Sequence, residues 1–464
     1  MSIWSGAATV ITFVLGTGPF SYPYAFVHWG FIVSTALMAF TMLIAYTTAT
    51  YMVETISYWW AKRFDGRSDT LFPLIQGEDL LTKSKRDEHD VSVKESPFYI
   101  RQKLEIGHLS QELLPIWVKY VILFFLMVYM YGAMCLKYVA GSKSMVEGLS
   151  ITIYNDKDML EEKIGFDPYY IAILLFGTIS IYFSFGNIEN AKGLQIVTNI
   201  IRFTAIFLML VGSVYTLFHK DGGITTVSHI FEFDFTYMHI LFGNTIFVFI
   251  WHHSLSGITY PIRPQSKIKP MLFWSFIVGG VTLTCEAFLA VLAFSHHTND
   301  NCSTSPWKIQ PLYNENFLYI PFIGQVCNFY PFLNVAAVPV MCITMRNNLL
   351  QLFGFDSKKE ITKLKKGIWS ICISLPAIVV TLFLRDPQLL VTYTGGLTGV
   401  IILLLIPTIF VQAARRLNLE NTFNRENFNK SNFTSPIIPY LIYIFSVIAL
   451  SILIYGMVKG GSTH

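Results

Sequence analysis

Long apolar runs alternate with short polar stretches along most of this chain. Eleven of the runs are long enough to cross about 30 Å of hydrocarbon as helices. They fall at 5–27, 30–54, 116–140, 168–185, 194–217, 237–258, 270–294, 321–345, 367–384, 388–411 and 436–457. Asp167-Pro168 and Asp386-Pro387 each supply an N-cap acid followed by proline at the first helical position. The longest polar insertion covers 55–115 and is most polar at Lys85-Arg86-Asp87-Glu88-His89-Asp90. Its tail, from Ile100 to Leu114, places Leu104, Leu109, Leu113 and Leu114 so as to predict a helix lying on the membrane surface or on a partner of the loop.

Two of the apolar runs are interrupted. Leu15-Gly16-Thr17-Gly18-Pro19-Phe20-Ser21-Tyr22-Pro23 puts two glycines and two prolines in the middle of the first. Trp251-His252-His253-Ser254-Leu255-Ser256-Gly257-Ile258-Thr259-Tyr260-Pro261 interrupts the sixth. Glycine unwinds cheaply, and proline removes an N–H and clashes with the carbonyl four residues back. Bare backbone at membrane depth is tolerated only where protein buries it or a cavity takes it up. A pair of breaks five spans apart is the spacing of a five-plus-five inverted repeat with one further helix. The expected halves are 1–217, including the insertion 55–115, and 237–411, followed by the last span at 436–457. The inversion lets the two breaks face each other at the midplane.

Composition fits a chain that lives in lipid. Of 464 residues, 53% are hydrophobic and only 13% charged, with 39 Phe, 24 Tyr and 9 Trp. Soluble domains carry about 25% charged residues. A net charge of +4 is too small and dispersed to recruit nucleic acid. The chain begins a few residues before its first span with no Lys or Arg there, so that span is expected to be retained rather than cleaved. Loops after even-numbered spans hold 23 of the 33 Lys and Arg, and 14 remain when the long second loop is set aside. The positive-inside rule then puts the N-terminus inside and the C-terminus outside. Cys302 and Cys327 bracket one polar loop on the outer side and are the expected disulfide. The sequon Asn301-Cys302-Ser303 falls outside as an expected glycosylation site, and Asn432-Phe433-Thr434 falls inside and is expected to be unused.

At the breaks, half-helix ends aim their dipoles into the space between them. Free N–H groups near Thr17, Gly18 and Phe20 suit a carboxylate, and free carbonyls suit an ammonium or a cation. The expected substrate-binding set is therefore Gly16, Thr17, Gly18, Phe20, Ser21, Trp251, His252, His253, Ser254 and Gly257. Of the two histidines, one is expected to cap exposed carbonyls and the other to couple transport to protons, His252 being the coupling candidate, since imidazole changes charge near neutral pH; capping alone is the alternative. Arg202 and Glu286 lie near the middle of their spans, where charge is expensive and faces the bundle interior. A mutual ion pair is the leading expectation for them, a gate or proton relay the second. Lys137 and Glu54 sit near span ends and are expected to snorkel. Thr344 and Asn334 offer oxygen ligands to a sodium ion, although such hydroxyls more often bond their own backbone. No metal or cofactor motif is present, and the chain does not read as an enzyme.

Gly16-Thr17-Gly18 followed by Pro23-Tyr24-Ala25-Phe26 resembles the first helix of the amino acid/auxin permease family. Tyr330-Pro331-Phe332, Val338-Pro339 and Arg346-Asn347-Asn348 resemble its eighth helix, and Thr394-Gly395-Gly396 with Gly399 and Pro407 its tenth. Glu105-Ile106-Gly107-His108-Leu109, Tyr129-Met130-Tyr131-Gly132 and His252-His253-Ser254 look most like the transmembrane protein 104 branch. The resemblance implies an all-α integral membrane protein of the LeuT-like fold (APC superfamily), a 5+5 inverted repeat with 11 transmembrane helices. It further implies a secondary amino acid transporter with substrate at the two breaks and a disulfide between helices seven and eight. The regulatory cytosolic tail of relatives is expected to be absent.

The expected function is transport of an amino acid coupled to H+ or Na+, with the lipid bilayer as the other partner. Two alternatives stay open: a transporter fold kept as an accessory subunit of a larger membrane assembly, and an amino acid sensor. The resemblance alone suggests a lysosomal or vacuolar endomembrane, with the mitochondrial inner membrane as the alternative.

Overall fold

The computed structural model describes residues 2–16, 18–65, 96–104, 106–185, 192–219, 235–294, 308–333, 337–352 and 363–460. All regular elements among them are helical. Seven helices are long and apolar enough to cross a membrane, or eight if a bent pair at the N-terminus is one span. That pair is α1, Ile3–Val14, and α2, Gly18–Trp29, bent by 50° at the intervening residues.

After them come α3 (Phe31–Asp65), α4 (Ile106–Leu113), α5 (Ile116–Tyr154), α6 (Tyr169–Ser184), α7 (Lys192–His219), α8 (Met238–Val248) and α9 (Leu255–Thr259). The second part holds α10 (Ile268–Ala293), α11 (Ile323–Leu333), α12 (Ala337–Leu352) and α13 (Lys363–Phe383). It ends with the helical run α14 (Pro387–Arg416) and α15 (Ile437–Gly460). The expected proline-led starts are present: Asp386 accepts from the N–H groups of Gln388 and Leu389, and Asp167 from that of Tyr169.

One continuous apolar core links these helices. α1 and α2 pack along α10, α2 also meets α8, and α5 runs through the middle against α6, α11, α13 and α14. The middle of α14 widens into two π-helical stretches, Val391–Leu397 and Val400–Leu405. The fit there depends on glycine, because a Cβ on Gly132 of α5 would collide with the Thr394 side chain. Outward faces remain apolar: Tyr440, Leu441, Ile444 and Val447 of α15 are each more than half exposed, as lipid contact requires.

Several expectations change. The first break is shorter than the glycine and proline count implies. Helix resumes at Gly18, because Pro19 lies in a first turn whose N–H groups have no intrahelical partner in any case. Pro23 sits inside α2 and leaves only its own ladder bond unmade. The second break opens at Phe249–Trp251, and Leu255–Thr259 is already helical. α5, at 39 residues, runs 14 residues beyond the expected end at 140, so Lys137 is interior rather than terminal. Lys137 is 6% exposed and does not snorkel. Nor does Glu54: fully buried, it accepts from Arg415 Nε and Nη2 at 2.8 Å each and from the Ser431 N–H at 2.9 Å.

The tail of the insertion packs on the protein itself. Phe98, Ile100 and Leu109 are buried. Ile100 exchanges two hydrogen bonds with the Gln265 amide, at 3.0 and 2.6 Å, and the Leu104 N–H donates to Ser256 Oγ at 2.7 Å. Residues 66–95 of the insertion, with Lys85 to Asp90, lie outside the described residues.

Candidate functional site

The two breaks meet. Gly18, first residue of α2, lies so close to Val248, last residue of α8, that a Cβ would stand 3.0 Å from Val248 Cγ2 and 3.1 Å from Leu283 Cδ2. Only glycine admits that approach without displacing a neighbour. The contact fixes where the first turn of α2 points. Beyond it, Phe20 stacks on Tyr330 of α11, with ring centroids 5.1 Å apart. Arg202 of α7 steadies that ring, its Nε donating to the Tyr330 hydroxyl at 2.6 Å and its Nη1 to the Thr12 carbonyl at 3.3 Å.

Behind Phe20 is a cavity of about 20 Å³, lined by Phe20, Ser21, Leu136, Lys137, Ala140 and Asn314 among others. Space of this order holds a water molecule, not an amino acid. Lys137 is the charged side chain on its wall. It lies within electrostatic range of Arg202 and has no hydrogen bond or ion pair among the described residues. Asn314 closes the far side, donating to Asn328 Oδ1 at 2.8 Å and to Ser144 Oγ at 3.1 Å. The adjoining wall is held by Gln388, whose amide donates to the carbonyls of Ser21 (3.2 Å) and Pro311 (2.6 Å) and accepts from Asn244 (2.9 Å).

The second break turns away from this cavity. Buried His252 places Nε2 at 3.1 Å from both the Ala45 carbonyl and the Thr48 hydroxyl of α3. His252 therefore fastens the break to α3. The Tyr129 hydroxyl of α5 donates to the Ile250 carbonyl at 3.0 Å, satisfying backbone that the break leaves bare. Trp251 is 1% exposed and packs at a tilt against Phe276, and the His253 ring lies 5.6 Å from that of Tyr129. Gly257 faces the aliphatic stem of Lys103. Trp251, His252, His253, Ser254 and Gly257 line neither described cavity.

The remaining expected residues divide as follows. Gly16 lies in the first break, its N–H on the Phe13 carbonyl at 3.2 Å. Thr17, Asn334 and Cys302 lie outside the described residues, as do Glu105 and the sequon at Asn301. The expected Arg202–Glu286 pair is not formed. Glu286 of α10 is fully buried with neither carboxyl oxygen hydrogen-bonded among the described residues, near Tyr313 and Cys327. Thr344 bonds the Val340 carbonyl of its own helix at 2.8 Å. Cys327, expected in an oxidised loop, is a free thiol buried in α11, with Sγ 3.6 Å from the Ala205 carbonyl. It faces the core because the Ile323–Leu333 helix begins before it.

Sequence reasoning gave Gln388 and Asn314 no role, took Lys137 for a snorkelling residue and used Tyr129 only within a motif of resemblance. For Lys137 the signal was present: small and polar residues at Ala140, Gly141, Ser144 and Gly148 continue one helical face beyond the supposed span end.

The family model described as transmembrane amino acid transporter protein matches residues 1–459. Transmembrane protein 104 homolog of Dictyostelium discoideum is 24% identical over 95% of this chain and 94% of its own length. Transmembrane protein 104 of Homo sapiens is 22% identical over 89% of this chain and 88% of its own, and the Drosophila melanogaster homolog 24% over 96% and 95%. The interrupted first span, the cavity beside it and this end-to-end match agree, and the chain belongs to the transmembrane amino acid transporter family.

Proposed function

We propose that this protein is a secondary carrier that holds an amino acid between the first turn of α2 and the face of α5. The substrate carboxylate sits against the positive end of α2, at Gly18 and Phe20, and accepts from the Lys137 ammonium. One observation carries the assignment: a buried lysine with no anion among the described residues, beside a helix N-terminus, in a chain of a transporter family. A buried cation is stabilised chiefly by a charged partner, and an arriving carboxylate supplies one. Phe20 and Tyr330 must part to admit it, since the cavity is about 20 Å³ when they stack.

In this reading the eleven apolar segments form the two inverted halves and the extra helix, and one half rocks against the other around the substrate. Glu286, with neither oxygen hydrogen-bonded among the described residues, is the candidate for a coupling proton. A sodium site at Thr344 is less favoured, because its hydroxyl already serves its own helix. The loop charges favour an inside N-terminus, and an endomembrane location follows from the family resemblance.

The test is uptake of each of the twenty standard amino acids into liposomes holding purified protein, under an inward H+ or Na+ gradient. At least one is expected to accumulate, and Lys137→Met is expected to reduce its uptake about tenfold or more, the usual effect of losing a charge-assisted hydrogen bond. No uptake under either gradient refutes the carrier reading. The small cavity specifically favours a second reading, an accessory subunit or sensor that no longer transports. Co-purification with other subunits at fixed stoichiometry, together with absent uptake, would select it.

A further inference from the structure

A second and larger chamber opens along the same face of α5. Lys137 and Ala140 border the inner cavity, and Lys143 and Glu147, farther along the helix, border a space of about 200 Å³. Lys157, Asp158, Glu161, Asp167 and Arg385 complete its charged wall. Between the two spaces stands the Asn314–Ser144–Asn328 hydrogen-bond layer.

Most of these charges are already committed. Arg385 pairs with Asp167, Lys143 with Glu315 at 3.1 Å, and Lys157 with Glu147 Oε1 at 3.2 Å. Glu147 Oε2 is left over. Its side chain is 10% exposed, it borders the chamber, and this oxygen has no hydrogen-bond partner among the described residues. A carboxylate oxygen buried without a donor is costly and is stabilised by any N–H that reaches it. Lys157 stands beside it, 34% exposed, with ammonium hydrogens to spare. Behind the chamber wall, closed to solvent until the Glu147 side chain turns outward, an unbonded acceptor thus stands next to a cationic donor with hydrogens to spare. A metal ion is poorly matched, because hard cations gather several oxygens and two lysines flank this one.

We propose that the chamber is a staging site for a zwitterionic amino acid. The ligand's ammonium donates to Glu147 Oε2 and its carboxylate accepts from Lys157, before it passes the Asn314 layer toward Lys137. The inference rests on the carrier reading and adds a second site to it.

Titration of the full chain in lipid nanodiscs with each of the twenty standard amino acids tests it by counting sites. Two sites per chain are expected. Glu147→Gln should weaken the outer one about tenfold or more and leave the inner one, and Lys137→Met should do the reverse. Lys157→Gln attacks the outer site from its other end and carries the test if Glu147→Gln does not fold. A single site lost in Lys137→Met and unchanged in both outer variants refutes the staging site and leaves the carrier reading intact. Absence of amino acid binding in the unaltered protein refutes both. Calcium chloride displacing the amino acid from the outer site also refutes the proposal.

Discussion

A buried ammonium destabilises a fold unless an anion joins it, and Lys137 has none among the described residues. A substrate role and a structural role therefore predict opposite results for one substitution. Lys137→Met should raise the thermal unfolding temperature of the empty protein while cutting uptake about tenfold or more; a lower unfolding temperature would mark the lysine as structural. Glu54 is the contrasting case. Breaking its pair with Arg415 through Glu54→Gln should destabilise the protein by about 3–5 kcal/mol, because one buried charge is left uncompensated. Glu54→Met with Arg415→Met together should cost far less, and thermal melts of the three variants check it. The sequence exposed these residues as ionisable groups in apolar runs, but not their partners. Arg202 and Glu286 looked like mates by sign and depth, yet Arg202 reaches Tyr330 and Thr12 instead, contacts that depend on how α7, α11 and α1 pack.

At the level of elements, apolar length and Asp-Pro starts were enough to locate nearly every helix. The breaks were legible as well, because glycines and prolines clustered inside an apolar run oppose regular helix where lipid demands it. Their extent was not, since proline is harmless in a first turn and the chain exploits that at Pro19. Nor could the sequence show that the two breaks differ in kind. The first borders a cavity. The second has its carbonyl taken by Tyr129 and its imidazole by α3. Tyr129→Phe should thus leave the Ile250 carbonyl bare and destabilise the fold by about 1–3 kcal/mol. A melt unchanged by that substitution would mean that water or a ligand reaches this carbonyl.

Over the whole molecule, the segment at 96–104 closes one end of the helix bundle through Gln265 and Ser256. Ser256→Ala with Gln265→Ala should speed amide hydrogen exchange at Ile100 and Leu104 by an order of magnitude or more, roughly the effect of losing two or three hydrogen bonds. Unchanged exchange would mean that Phe98 and Leu109 hold the segment by burial alone. This closure was hidden in the sequence because the insertion's apolar tail suits a lipid surface equally well; only its bonds to α9 and to Gln265 decide. At the opposite wall, Gln388 ties together three stretches distant in sequence, the first turn of α2, the loop at Pro311, and α8 through Asn244. One amide holds all three, so turning that single side chain away frees them together. Once it loosens, all three are released at once, so that face should swing open as a unit, in a single abrupt step rather than by gradual widening.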